Sequence, residues 1–242
     1  MKGLIFARRC TKEIVRDPLT VLFGIGFPLI VLFLLSAIQA HIPVSLFEVE
    51  SLTPGIAVFG LSFVALFSGM LVAKDRTTAF LIRLYASPMR ASDFIVGYML
   101  PFLPVSVAQS IICFLVSIPL GMKPQLGILA AIAVLLPTDL LFVSIGVICG
   151  SLLNDRQVGG ICGALLTNIS AWLSGTWFDL HLLGDGFRRV AYVLPFANAV
   201  DASRAALRGD WQSVLQPFLI VCGWAVLLFT VSILVFRRRM KQ

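Results

Sequence analysis

The side chains that could do chemistry in this sequence are polar residues set into long apolar runs. Asp139 is the only charged residue between Leu126 and Leu153. A carboxyl in the middle of such a run costs about 2.5–3.5 kcal/mol to insert into a bilayer, so it must face protein or water. Gln109, at similar depth in the preceding run, is its expected hydrogen-bond partner. A polar substrate or proton site is the sharper alternative. Thr167 and Asn168 sit near mid-depth of a later run. Ser174 and His181 do not form a hydrolase pair, because a general base must approach the serine from a neighbouring element. The sequence contains no GxxxxGK[ST] phosphate loop, no HExxH and no CxxC. The expectation is therefore no catalytic, cofactor-binding or metal-ligating residue, and no nucleotide hydrolysis by this chain.

The largest concentration of polar chemistry is the segment from Lys74 to Asp93, KDRTTAFLIRLYASPMRASD. It holds Lys74, Asp75, Arg76, Arg83, Arg90 and Asp93, around a short helix-like piece broken at Ser87-Pro88. Apolar runs of about 20 residues, long enough to cross a bilayer, flank it on both sides.

The elements that position these residues follow from composition. Of 242 residues 59% are hydrophobic and 13% charged, and mean hydropathy is +0.97. A soluble domain carries about twice that charged fraction. The fold class expected is all-α: one polytopic membrane domain over residues 1–242. Six spans are expected at about 19–39, 54–73, 94–120, 126–153, 158–178 and 214–236, with Pro101, Pro104 and Pro119 bending the third and Ser92 and Asp93 capping it. Residues 1–17 read as an interfacial amphipathic helix. Leu4, Ala7, Cys10, Thr11, Ile14 and Val15 share its apolar arc, and Ile5 and Phe6 lie off that pattern. No cleavable leader is expected before the first span.

Topology follows from the basic residues. With the N-terminus inside, 14 of the 19 Lys and Arg fall on inner segments, which puts both termini and the Lys74–Asp93 segment in the cytoplasm. The net charge of +7 is thereby assigned to the membrane surface, with no nucleic-acid partner. The outer segment between spans five and six holds four arginines among four aspartates. Its apolar stretches suggest short helices re-entering the membrane, as a lid or a packed cap, with Asp201, Arg204 and Arg208 spaced for a paired polar face. Phe59, Phe63 and Phe67 recur every fourth residue on one face of span two. That stripe suits a lipophilic path, or equally lipid contact and helix packing.

Four features, in order, resemble the permease subunits of the ABC-2 type exporter family, which includes drug, antibiotic and bacteriocin-immunity exporters. They are the N-terminal segment leading through Arg16-Asp17-Pro18, the segment KDRTTAFLIRLYASPMRASDFIVGYML, the Leu173–Phe178 exit of span five, and the stretch from Leu194 to Asp210. The family often carries Glu-Arg where this chain has Asp75-Arg76.

The resemblance implies partners. A separate cytoplasmic ATP-binding subunit, in two copies, would hold ATP and Mg. A second permease chain, identical or a sister, would complete the pore in a plasma or bacterial inner membrane, among membrane lipid. It also implies roles. Thr77 to Tyr85 would be the coupling helix, with Phe80, Leu81 and Leu84 as apolar anchors and Arg76 and Arg83 for charge pairing. Spans two and five would line the path, pointing to Phe59, Phe63, Phe67, Thr167, Asn168 and Trp172. The function implied is ATP-driven export of a lipophilic or amphipathic substrate such as a drug, antibiotic, peptide or lipid. The alternatives are a secondary transporter or channel, and a receptor or scaffold that transports nothing.

Overall fold

The computed structural model describes residues 2–43, 47–77, 91–178 and 180–239. Among them every regular element is helical. In chain order these are α1 (Lys2–Arg16), α2 (Pro18–Gln39), α3 (Val49–Thr77), α4 (Ala91–Ser117), α5 (Gly127–Leu152), α6 (155–173), α7 (Asp185–Val193), α8 (Pro195–Arg208) and α9 (Trp211–Arg239). Five of them, α2 to α5 and α9, are long and apolar enough to cross a membrane.

The expected fifth span takes a different form. It begins at Asp155, under a capping box made by Asn154 and Gln157, and ends at Leu173 rather than Phe178. Its middle, Gly159–Leu166, is wound as a π-helix. Three glycines in that stretch hold α-geometry weakly, and the Thr167 hydroxyl donates to the Cys162 carbonyl five residues back, at 3.0 Å. The same winding occurs at Leu22–Gly26 in α2, next to Pro28. A proline ring clashes with the carbonyl four residues earlier, here that of Gly24, and the wider turn relieves the clash.

Other boundaries also moved. α4 is helical from Ala91, the first described residue after Thr77, so Ser92 and Asp93 lie within the helix rather than at a cap. α4 stops at Ser117. Pro119 therefore follows the helix and bends nothing, while Pro101 and Pro104 lie within it.

α3 is the axis of the bundle and touches α2, α4, α5, α6 and α8. Its closest neighbour is α5. A Cβ on Gly146 would collide with Ala65 and Ser68, and one on Gly150 with Gly69 and Val72. The two backbones approach closely because these positions carry no side chain, which is how helices associate where no hydrophobic force separates them from lipid. α9 packs on α5, α8 and α4, and α2 lies at the opposite margin.

α1 is docked rather than free. Its buried face is Gly3, Phe6, Ala7, Cys10 and Ile14, while Leu4, Thr11 and Val15 of the expected arc are exposed. Phe6, off the expected pattern, is the anchor. Its ring sits edge-on to Tyr98 at 4.8 Å and near Phe94 at 5.9 Å, over Gly97, where any Cβ would meet it. Phe236 of α9 closes the same aromatic cluster against Phe94 and Tyr98.

α8 is a packed cap. Nearly all of it is buried against α3, α5 and α9, with Leu207 over Gly127 and the Ser203 hydroxyl donating to Ala131 O at 3.3 Å. It ends at Gly209, in the left-handed conformation that suits a helix C-terminus.

Candidate functional site

Three consecutive residues at the end of α3 tie the bundle together at the end where α1 sits. Asp75 is 2% exposed. Arg9 of α1 grips it with both guanidinium nitrogens, at 2.6 Å and 2.9 Å, and the Tyr98 hydroxyl of α4 donates to it at 3.0 Å. The fork geometry satisfies both carboxylate oxygens, the condition under which a buried ion pair is tolerated. The hydrogen bonds it donates to Asp75 push the Arg9 guanidinium further above its ordinary range, so it stays charged. Glu13 accepts a second ion pair from Arg9 at 3.0 Å and a looser one from Lys74 at 3.8 Å.

Arg76 turns the other way. Its Nη1 donates to the carbonyls of Gly150 at 2.8 Å and Leu153 at 3.3 Å, capping the C-terminal end of α5 with a cation. Thus Lys74 faces α1, Asp75 joins α1 to α4, and Arg76 fastens α5. Thr77 is the last described residue before residues 78–90, and its hydroxyl bonds back to Lys74 O. Phe80, Leu81, Arg83, Leu84 and Tyr85 lie outside the described residues.

A second feature is an aromatic groove of about 680 Å³ between α2, α3 and α6. It brings together Phe59, Phe63, Thr167, Asn168 and Trp172 from the sequence reading. Phe23, Phe27, Trp177 and Phe178, which that reading did not single out, join them. Phe27 meets Phe63 at 5.1 Å, and Trp177 meets Phe59 at 5.6 Å. Phe67 falls outside this groove and lines a separate one beneath α1. Asn168 and Trp172 are exposed, and Asn168 steadies its amide on Ala164 O at 2.8 Å. The surface is apolar and aromatic, with the Asn168 amide and the Thr167 hydroxyl as the polar groups of its described lining.

The expected Gln109–Asp139 hydrogen bond does not form. Gln109 donates to Ala57 O of α3 at 3.3 Å, with Cys113 Sγ at 3.4 Å, and Asp139 instead contacts Ser106. The two side chains lean toward different neighbours, which spacing along separate helices does not reveal. Gln109 Oε1 and Asp139 Oδ1 are buried with no hydrogen-bond partner among the described residues.

At the opposite end, Arg204 donates to Ser51 O at 2.8 Å and Gly175 O at 3.1 Å, with Asp201 at 3.7 Å. Arg204 thereby links α8 to the start of α3 and to the turn after α6. Arg208 is exposed, beside a small cavity it shares with Tyr192 and Asp201, and Tyr192 donates to Asp201 at 2.7 Å. The spacing identified the Asp201–Arg204 pair. It missed the links of Arg9, Glu13 and Tyr98 to the end of α3, which join different helices, and that of Tyr192 to Asp201 across a helix break. The one local signal was the four-residue spacing of Arg9 and Glu13.

A family model described as ABC-2 type transporter matches residues 3–207, from α1 through α8. The chain is 28% identical over 243 residues to Nodulation protein J of Bradyrhizobium diazoefficiens, covering 93% of this chain and 84% of that protein. It is 27% identical over 241 residues to "Putative transport permease ycf38" of Porphyra purpurea, covering 95% and 82% respectively. A family match across most of the chain, on a bundle with five helices able to cross a membrane, makes this a multi-pass membrane component of a transporter: the chain belongs to the ABC-2 type transporter family.

Proposed function

We propose that this chain is the permease subunit of an ATP-driven exporter. A separate ABC ATP-binding subunit, in two copies, supplies the energy, and a second permease chain, identical or a sister, completes the path. In this reading α6 is a sixth span, so both termini and residues 77–90 lie in the cytoplasm, in a plasma or bacterial inner membrane. α8 re-enters from the outer side as a fixed cap. Residues 77–85 dock on the ATP-binding subunit through Phe80, Leu81 and Leu84, with Arg83 pairing charge. The aromatic groove, from Phe59 and Phe63 to Asn168 and Trp172, carries an amphipathic or lipophilic cargo.

One observation carries the reading. The residues leading into 77–85 are fastened to three different helices, Lys74 and Asp75 to α1, Asp75 to α4 and Arg76 to α5. A push on the segment therefore moves the end of the bundle as a block instead of bending a loose loop. Helix ends tied by side-chain bonds with two discrete arrangements are the physical means of such transmission.

The test is recovery of the ATP-binding subunit with the solubilised chain. Phe80→Asp with Leu84→Asp is expected to abolish it while the permease remains folded. Unchanged recovery would remove the docking assignment. Cargo movement that ignores nucleotide and follows an ion gradient would replace the whole reading with a secondary transporter.

A further inference from the structure

Beneath α1 lies a groove of about 1060 Å³ that the transport reading does not use. Its mouth and its floor differ in chemistry. The mouth carries Arg8, Lys12 and Arg16, spaced every four residues along one stripe of α1. Among the described residues these three enter no ion pair. Of the carboxylates around the groove, Glu13 is engaged with Arg9 and Lys74, and Asp17 with the start of α2, where it accepts from Leu19 N at 3.1 Å and from the Thr20 hydroxyl at 2.7 Å. Asp155, at the start of α6, is the third, so five cations (Arg8, Arg9, Lys12, Arg16 and Lys74) face three carboxylates. The floor is formed by Phe67, Met70 and Leu71 of α3.

We infer that this groove holds an anionic phospholipid of the bilayer leaflet against which α1 lies, as a resident lipid rather than as cargo. Three cations in a row that enter no ion pair, in a lining with more cations than carboxylates, match a phosphodiester, which guanidinium groups bind in a fork. The floor matches the upper part of an acyl chain. Exposed Ile5, 73% accessible on the same helix, is suited to the surrounding lipid. A basic pocket between membrane helices at the leaflet surface is a headgroup site by the same electrostatics that draws polybasic segments to anionic lipid. The lipid would fill the space between α1 and α3 and hold α1 on the bundle. The inference does not depend on the ATP-binding partner.

The experiment uses the full chain, purified in neutral detergent and mixed with equal phosphatidylglycerol and phosphatidylcholine. Retained lipid is counted by native mass spectrometry. Phosphatidylglycerol is expected to be retained over phosphatidylcholine. R8Q/K12Q/R16Q is expected to weaken it about a hundredfold, from about fivefold per cation. Met70→Trp, which fills the groove and leaves every charge in place, is expected to weaken it as well. No preference for phosphatidylglycerol, or unchanged retention in either variant, overturns the inference. Displacement by inorganic phosphate as efficiently as by short-chain phosphatidylglycerol would overturn the lipid in favour of a simple anion site.

Discussion

Asp75 is the residue on which the α1 end of the bundle closes. Its carboxylate is buried, and Arg9, which forks it, lies 66 residues away in sequence. Removing Arg9 leaves the buried Asp75 charge without its cation, a loss of at most about 3–5 kcal/mol, since the Arg9 side chain is itself 35% exposed. Arg9→Ala is therefore expected to lower the melting temperature in detergent sharply. Arg9→Ala combined with Asp75→Asn should recover much of the loss, because the stranded charge is gone. Equal melting of Arg9→Ala and the unaltered chain would show that the fork contributes nothing. Cys10, one residue on, reports the docking of α1 differently. Burial pushes its thiol up to about 12. The folded chain thus keeps a proton that the unfolded chain releases near pH 8.5–9, so this group weakens the fold as pH rises from about 9 towards 12. Maleimide at pH 8 is expected to label Cys10 slowly in the folded chain and rapidly after Phe6→Ala loosens α1. The sequence displayed Asp75 only as one charge in a polar segment. Nothing local marks a residue as buried when its partners come from α1 and α4.

At the scale of the elements, α3 and α5 decide the packing. Gly146 and Gly150 form a GxxxG, a spacing that suits close packing, but nothing in the sequence marks the partner face, Ala65 to Val72, since small residues on α3 have no period that names a neighbour. Gly150→Leu would drive a side chain into the Gly69 carbonyl and into Val72, an overpacking worth about 1–3 kcal/mol, and would shift the carbonyl that Arg76 caps. Thermal unfolding in detergent should show that loss, with little change for Gly186→Leu, where the space is open. Five of the six expected spans were legible from apolar length, and their ends were less so. α4 stops before Pro119, and α6 runs from Asp155 to Leu173, because caps and glycines set helix ends while hydropathy averages over them. α1 was legible as amphipathic but rotated. Its apolar residues cover so broad an arc that only the aromatic socket of Phe94, Tyr98 and Phe236 selects Phe6 over Leu4 and Val15.

For the whole molecule, the two ends of the bundle have different characters. One end is fastened through Lys74, Asp75 and Arg76, and the other is capped by α8 through Arg204. Between them the aromatic groove opens beside α6, the helix interrupted by a π stretch. The groove's membership was partly legible, because Phe59 and Phe63 share a helical face. Phe23, Phe27 and Trp177 were not, since only the packing of α2 and of the turn after α6 brings them there. If cargo lies in this groove, Trp172→Ala and Asn168→Leu should change which amphiphiles stimulate the partner's ATP hydrolysis and leave the basal rate unchanged. Unchanged cargo preference in both variants would place the path elsewhere. The most direct measurement is a fluorescent reporter at Asn168→Cys, in a chain whose native cysteines are replaced, followed in the complex with its ATP-binding subunit as ATP is added. An ATP-dependent change in the reporter is expected, and it disappears in Arg9→Ala while the subunit stays bound. The same change persisting in Arg9→Ala, or no change in the unaltered complex, would contradict transmission through the Arg9–Asp75 fork.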